Sequence, residues 1–202
     1  FTGDGASGSI FDHLTMVGSL SLTANGIVLT NSSDMTFTNN TITVAGEWGI
    51  FAENNYESVF DNNTINGATY GVKATNCDNC SFNDNDINNS DNGIYANSSP
   101  GISLDNNTIV ADVNGIYVDG SFNATITNNH ITGRIHDNGI NFANSDGSLV
   151  TDNYIERTIN IDNFTMLQGD NSEGSIIRNN TIIHDYYSTD HNSGGFGWGD
   201  SQ

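Results

Sequence analysis

The sequence predicts an all-β solenoid, a chain wound into coils whose short strands stack in parallel. Three observations carry this expectation. A 17-residue segment recurs seven times without an internal gap, its apolar columns keep the strand period of two, and its fifteenth position is Asn in every copy. Composition alone suggests something looser, since only 35% of the 202 residues are hydrophobic and 22 are Gly. Ten Phe, seven Tyr and two Trp argue against disorder, and so does the repeat.

The copies run from Gly26 to Ile42, Gly49 to Ile65, Gly71 to Ile87, Gly93 to Ile109, Gly115 to Ile131, Gly139 to Ile155 and Met166 to Ile182. Successive starts lie 23, 22, 22, 22, 24 and 27 residues apart. A partial eighth copy, Ile10 to Met16, reads like Ile176 to Ile182. The second position holds Ile27, Ile50, Val72, Ile94, Ile116, Ile140 and Leu167, the twelfth Phe37, Phe60, Phe82, Leu104, Ile126, Val150 and Ile177, and the last is always Ile. Such columns line the inside of coils stacked about 4.8 Å apart, none of which buries its apolar face alone.

Asn40, Asn63, Asn85, Asn107, Asn129, Asn153 and Asn180 form the fifteenth column. Asn tolerates a left-handed backbone at a tight turn, and its amide can bond the same Asn one coil away, so an internal ladder is expected. The Gly that opens six coils, preceded by Asn25, Asn92, Asn114 and Asn138 in four of them, is expected at a second corner of positive φ.

These residues resemble the right-handed parallel β-helix repeat family, the pectate-lyase-like superfamily, and within it the Gly-Ile…Asn-Asn-Thr-Ile repeat proteins. The resemblance covers about residues 8 to 183 and implies a right-handed, single-stranded β-helix of seven or eight coils. It divides the chain into a β-helix over 1–183, regular from about residue 26, and an aromatic, Gly-rich tail over 184–202 that caps its own last coil or docks on a neighbour. The superfamily hosts lyases, hydrolases, epimerases and adhesins, so fold alone does not select an activity.

Charge narrows the partners. Twenty-four acidic side chains against four basic ones give a formal net charge of −20, which disfavours nucleic acid and anionic lipid surfaces. No run of about 18 apolar residues is present to cross a membrane as a helix. No signal peptide is recognisable from Phe1, and the chain is read as a mature or trimmed extracellular or cell-surface protein.

Cys77 and Cys80 are expected to form a local disulfide, with two free thiols as the alternative. Ten Asn-x-Ser/Thr sequons occur, at Asn31, Asn39, Asn62, Asn79, Asn88, Asn97, Asn106, Asn123, Asn163 and Asn179. Chance makes many of these in so Asn-rich a chain. Four of them (Asn39, Asn62, Asn106 and Asn179) share the column before the ladder, where glycosylation is expected.

The third position points outward and reads Val28, Phe51, Lys73, Tyr95, Tyr117, Asn141 and Gln168. Phe51, Tyr95 and Tyr117 form an aromatic stripe that contacts glycan or another subunit, or else pairs across coils as packing. Basic groups gather late in the chain. His130, Tyr154 and Thr181 share a column, with Glu156, Arg157, Arg178 and His184 close in sequence. The resemblance to β-helix polysaccharide lyases implies that such a set could remove a proton beside a uronate carboxylate, while the bland alternative is arginines offsetting an acidic surface.

The family's catalytic signatures are absent, including Arg-x-x-Pro-x-x-Arg, Asn-Thr-Asp, Gly-His-Gly and Asp-Pro-His-Glu. Asp61 and Asp105 share an outward column two coils, about 10 Å, apart, too far for the usual glycosidase pair. Acidic turns such as Asp84 and Asp86 suit Ca²⁺, but no calcium-loop motif is present and no metal site is assigned. The expectation is thus an extracellular structural or adhesin-like solenoid whose partners are further copies of itself, polysaccharide, or both. A polysaccharide lyase or glycoside hydrolase is the alternative.

Overall fold

A computed structural model describes residues 1–18, 24–158, 165–184 and 194–198. The described residues contain strands and no helix, and every strand pairing is parallel. The chain is a parallel β-solenoid of about seven turns, as the period predicts. One face stacks Ile27–Thr30, Trp48–Tyr56, Thr64–Asp78, Asp86–Asn97, Thr108–Asp119, Asn138–Ala143 and Thr165–Asp170. A second carries Thr15–Val17, Thr41–Thr43, His130–Gly133, Tyr154–Arg157 and Thr181–His184 against the early parts of the long strands. The third runs from Ile10–Asp12 to Ile176–Arg178, bridged through Ser81.

The partial N-terminal copy pairs as expected, Phe11 against Phe37 and Met16 against Ile42. Thr2–Asp4 adds a strand ahead of it, paired with Ile27–Thr30. Within the segment read as a tail, Gly194–Trp198 pairs with Thr165–Asp170 on the chain's own last coil.

Period-two alternation places the named columns inside. Ile27, Ile50, Val72, Ile94, Ile116 and Ile140 are wholly buried, as are Ile42, Ile65, Ile87, Ile109, Ile131 and Ile155. Phe11, Phe37, Phe60 and Phe82 stack along the axis with centroids 4.7 to 5.4 Å apart and planes within 6°. Burying one such ring contributes about 1.5–3 kcal/mol, and the stacked geometry adds about 0.5–1.5.

The ladder forms. Each Asn Nδ2 donates to the Oδ1 of the next: Asn40 to Asn63 at 3.0 Å, Asn63 to Asn85 at 3.2 Å, Asn85 to Asn107 at 3.2 Å, Asn107 to Asn129 at 3.0 Å, Asn129 to Asn153 at 2.9 Å and Asn153 to Asn180 at 2.9 Å. The same Oδ1 atoms also accept the backbone N–H of the preceding Asn.

Two expectations about backbone are corrected. The left-handed residue is not the ladder Asn but the one before it: Asn39, Asn62, Asp84, Asn106, Asn128, Asp152 and Asn179 have φ between 55° and 59°. The ladder side chain must point inward, so the tight corner falls one residue earlier. The Gly at coil starts is not at positive φ. It answers close approach instead, since a Cβ on Gly93 would lie 2.5 Å from the Gly115 carbonyl oxygen and 2.4 Å from Ile109 Cγ2.

A second inward polar column was not anticipated: Ser32, Asn55, Cys77, Ser99, Ser121, Ser145 and Ser172, all buried. Ser99 Oγ accepts the Cys77 N–H at 3.0 Å and donates to the Asn97 carbonyl at 3.0 Å, and Ser121 and Ser145 repeat the pattern. Outside, corner amides run the opposite way. Asn76 donates to Asn54, Asn54 to Asn31, and Asn31 to the Asp4 carboxylate.

Candidate functional site

The outward third column holds its register, with Phe51, Lys73, Tyr95, Tyr117, Asn141 and Gln168 as successive Cα partners. Phe51, Tyr95 and Tyr117 are half-buried. Tyr95 and Tyr117 stack at 5.1 Å with planes 2° apart, and Tyr70 meets Tyr95 edge-on at 5.8 Å. Trp48 stacks on Phe51 at 4.5 Å. Lys73 Nζ lies 5.1 Å from the Tyr70 ring centre and 5.9 Å from those of Trp48 and Phe51.

Trp48 and Tyr70 were missed by sequence reasoning. Each precedes a coil-opening Gly, where Asn25, Asn92, Asn114 and Asn138 stand in other coils. The two departures from Asn fall on the coils of Phe51 and Lys73, and that was the available signal.

The rings lie against one another rather than flat on the sheet, so the strip offers ring edges, tyrosine hydroxyls and one ammonium. Burial, joined by the Asp119 carboxylate and by Tyr70, pushes the Tyr95 hydroxyl above its ordinary pKa. Burial does the same to Tyr117, followed by Asp119, Tyr95, Asp137 and Asp170. The strip is therefore cationic at Lys73 and anionic around Tyr117. Asn141, next in the column, is buried, and its Oδ1 has no hydrogen-bond partner.

The late cluster assembles only in part. His130, Tyr154 and Thr181 do share a column. The His130 ring packs 4.7 Å from that of Tyr154, whose hydroxyl donates to Glu156 at 2.9 Å. Arg157, expected beside them, instead follows Ile155 inward and is buried, its Nε donating to the Arg134 carbonyl at 3.2 Å. Arg178 is exposed on the third face, paired with Thr151. The His184 side chain lies outside the described residues, although its backbone pairs with Arg157. Imidazole, phenol and carboxylate thus meet on one surface, while Arg157 is buried and Arg178 lies on the third face.

Other candidates are engaged by hydrogen bonds within the fold. Asp61 Oδ1 accepts from Ser81 Oγ at 2.9 Å and from the Asn83 N–H at 2.8 Å. Asp105 Oδ1 accepts from Asn128 Nδ2 at 2.8 Å and from Thr127. The expected disulfide is absent, and Cys77 and Cys80 are free, wholly buried thiols. Cys77 occupies a hydroxyl's place in the Ser column, its thiol donating to the Ala52 carbonyl at 3.2 Å. Hydrogen bonding to Cys80 and burial hold this thiol above the usual range.

Among the sequons, Asn31, Asn62, Asn79, Asn106, Asn123 and Asn179 are exposed, while Asn39, Asn88 and Asn97 are half-buried. Asn163 lies outside the described residues. The Nδ2 groups of Asn31, Asn39, Asn62, Asn88 and Asn106 donate to neighbouring side chains.

Residues 9–202 match the family described as periplasmic copper-binding protein (NosD). Copper is held by thiolate, thioether and imidazole donors. Among the described residues no group of three or more His, Cys, Asp or Glu side chains could hold a metal ion. The two thiols that meet are sealed in the core, where the hydrogen bond between them raises the pKa of Cys77 and lowers that of Cys80. The described residues do not fit a copper centre.

No curated protein matches the sequence. Solved structures of similar fold include the following two. A double mutant of the periplasmic alginate epimerase AlgG shares 16% identity at a TM-score of 0.65, covering 88% of this chain and 51% of that one. Alginate lyase from Paenibacillus sp. str. FPU-7 shares 14% identity at a TM-score of 0.62, covering 98% of this chain and 88% of that one. The chain spans about half the length of the epimerase. At such identities the likeness is one of fold, whereas the family match spans nearly the whole sequence, so the chain belongs to the NosD family of right-handed parallel β-helix proteins.

Proposed function

We propose that the protein is an extracellular or periplasmic β-solenoid that holds polysaccharide along the strip formed by Trp48, Phe51, Tyr70, Lys73, Tyr95 and Tyr117. The observation that carries this reading is the strip itself, in which the outward column Phe51, Lys73, Tyr95 and Tyr117 crosses adjacent coils and is flanked by Trp48 and Tyr70. Tyrosine hydroxyls suit a sugar's oxygens, and the apolar ring edges beside them are surface that a bound sugar covers. Two proteins of like fold act on alginate, by their names, which supports a carbohydrate ligand.

Holding is favoured over processing because Arg157 is buried in the core and Arg178 lies on the third face, so neither guanidinium is presented on the surface that carries His130, Tyr154 and Glu156. Affinity electrophoresis through gels carrying soluble polysaccharides tests the proposal. The wild-type protein is expected to be retarded, and Tyr95→Ala/Tyr117→Ala to run free with unchanged circular dichroism. Retardation of the double variant equal to wild type would overturn it.

A further inference from the structure

We propose that Lys73 reads a single acidic group, and that the ligand class is a polysaccharide bearing isolated anionic groups among neutral sugars. A polymer charged at every unit is excluded. This rests on the strip being the carbohydrate surface.

Lys73 is the sole lysine in a chain with 24 acidic residues, yet among the described residues it makes no ion pair. Three rings, those of Trp48, Phe51 and Tyr70, surround its ammonium instead. Rings attract a cation without neutralising it, and they displace part of its water. An anion that reaches it there gains a charge-assisted hydrogen bond in a partly desolvated setting.

The rest of the strip selects against more charge. Two coils beyond Lys73 in the same column, Tyr117 stands in the field of Asp119, Asp137 and Asp170. A ligand laid along the axis with one acidic group at Lys73 meets uncharged Tyr95 next. One acidic at every unit would set its following charges against those carboxylates, on a protein of net charge −20.

Three probes separate the cases by titration at low and physiological salt: dextran, neutral; dextran bearing sparse carboxymethyl groups many sugars apart; and polygalacturonate, with a carboxylate on every sugar. Wild type is expected to prefer the sparsely carboxymethylated dextran over both others by about tenfold, a preference that shrinks as salt rises. Lys73→Gln should bind the sparsely carboxymethylated dextran no better than it binds plain dextran, while Lys73→Arg keeps the preference. Tightest binding to polygalacturonate, equal binding of the two dextrans by wild type, or a preference that survives Lys73→Gln would overturn this inference alone. No binding of any of the three would overturn the carbohydrate reading beneath it.

Discussion

Asn107 donates its side-chain amide to Asn129 Oδ1 at 3.0 Å, while its own Oδ1 accepts both the backbone N–H and the Nδ2 of Asn85. One amide therefore joins three coils without contact with water, since all three residues are buried. A buried donor or acceptor left unpaired costs about 1–3 kcal/mol. Asn107→Ala is expected to destabilise by about 3–5 kcal/mol, because two N–H groups of Asn85, one backbone and one amide, lose their acceptor and a cavity is left. Asn107→Asp keeps the acceptor, loses the donor and buries a carboxylate, so it should fall in the same range at neutral pH. Urea unfolding monitored by far-ultraviolet circular dichroism measures both.

Gly93 shows a different constraint. Its φ is ordinary, so only space forbids a side chain. Gly93→Ala should cost about 1–3 kcal/mol by forcing adjacent coils apart. Gly5, at φ 61° with nothing near its Cβ position, should lose stability to Ala through backbone strain alone, by about 1 kcal/mol. Thermal melts of the two variants compare the mechanisms.

Asp61 predicts a pH effect. Burial raises its pKa above 3.8, against hydrogen bonds from the Asn83 N–H and Ser81 that lower it. The folded state thus holds this proton more tightly than the unfolded chain does. The associated stability is fully present below the unfolded pKa and is lost as pH rises through the folded value. Asn83, one coil on, accepts the matching bonds from Ser103 and the Asp105 N–H with an amide. Asp61→Asn should therefore be more stable than wild type at pH 7 and equal to it near pH 3. Asp12 has the opposite sign, its pKa lowered first by Asn39 and then by His13, so that its contribution disappears on acidification. Melting temperatures across pH 3 to 7 for Asp61→Asn and Asp12→Asn should diverge in these directions.

The thiols make the fourth prediction. Because Cys77 does what Ser99 and Ser121 do in their coils, Cys77→Ser should change stability by less than about 1 kcal/mol, while Cys77→Val should cost about 1–3 kcal/mol by removing the side chain's polar contacts. Neither cysteine should react with a thiol reagent until the protein is unfolded. Intact mass after blocking in denaturant reads the outcome, and two blocked thiols are expected.

What the sequence made legible follows from what repetition amplifies. Phe37, Phe60 and Phe82 are read together because a column repeats its error-prone single assignment over several coils. The aromatic column at Phe51, Tyr95 and Tyr117 was found the same way. Features confined to one coil were not. Arg157 departs from the apolar character of inward positions, so its burial could not be taken from its neighbours. Trp48 and Tyr70 sit outside the 17-residue segments, in the connection of variable length. The Ser column was hidden because Asn55 and Cys77 break its identity while preserving its hydrogen-bonding role.

The rungs of the internal ladder are interchangeable: each Asn presents to the coil ahead the same donor that it meets in the coil behind. Removing or duplicating the 22 residues from Gly71 to Asn92 would rejoin surfaces that already match, because Gly49 and Gly71 meet their successors as Gly71 and Gly93 do. The molecule is thus a ruler graduated at about 4.8 Å. In a lineage of such proteins, length is a quantity that gene duplication can set in whole steps, while the spacing between marks stays fixed.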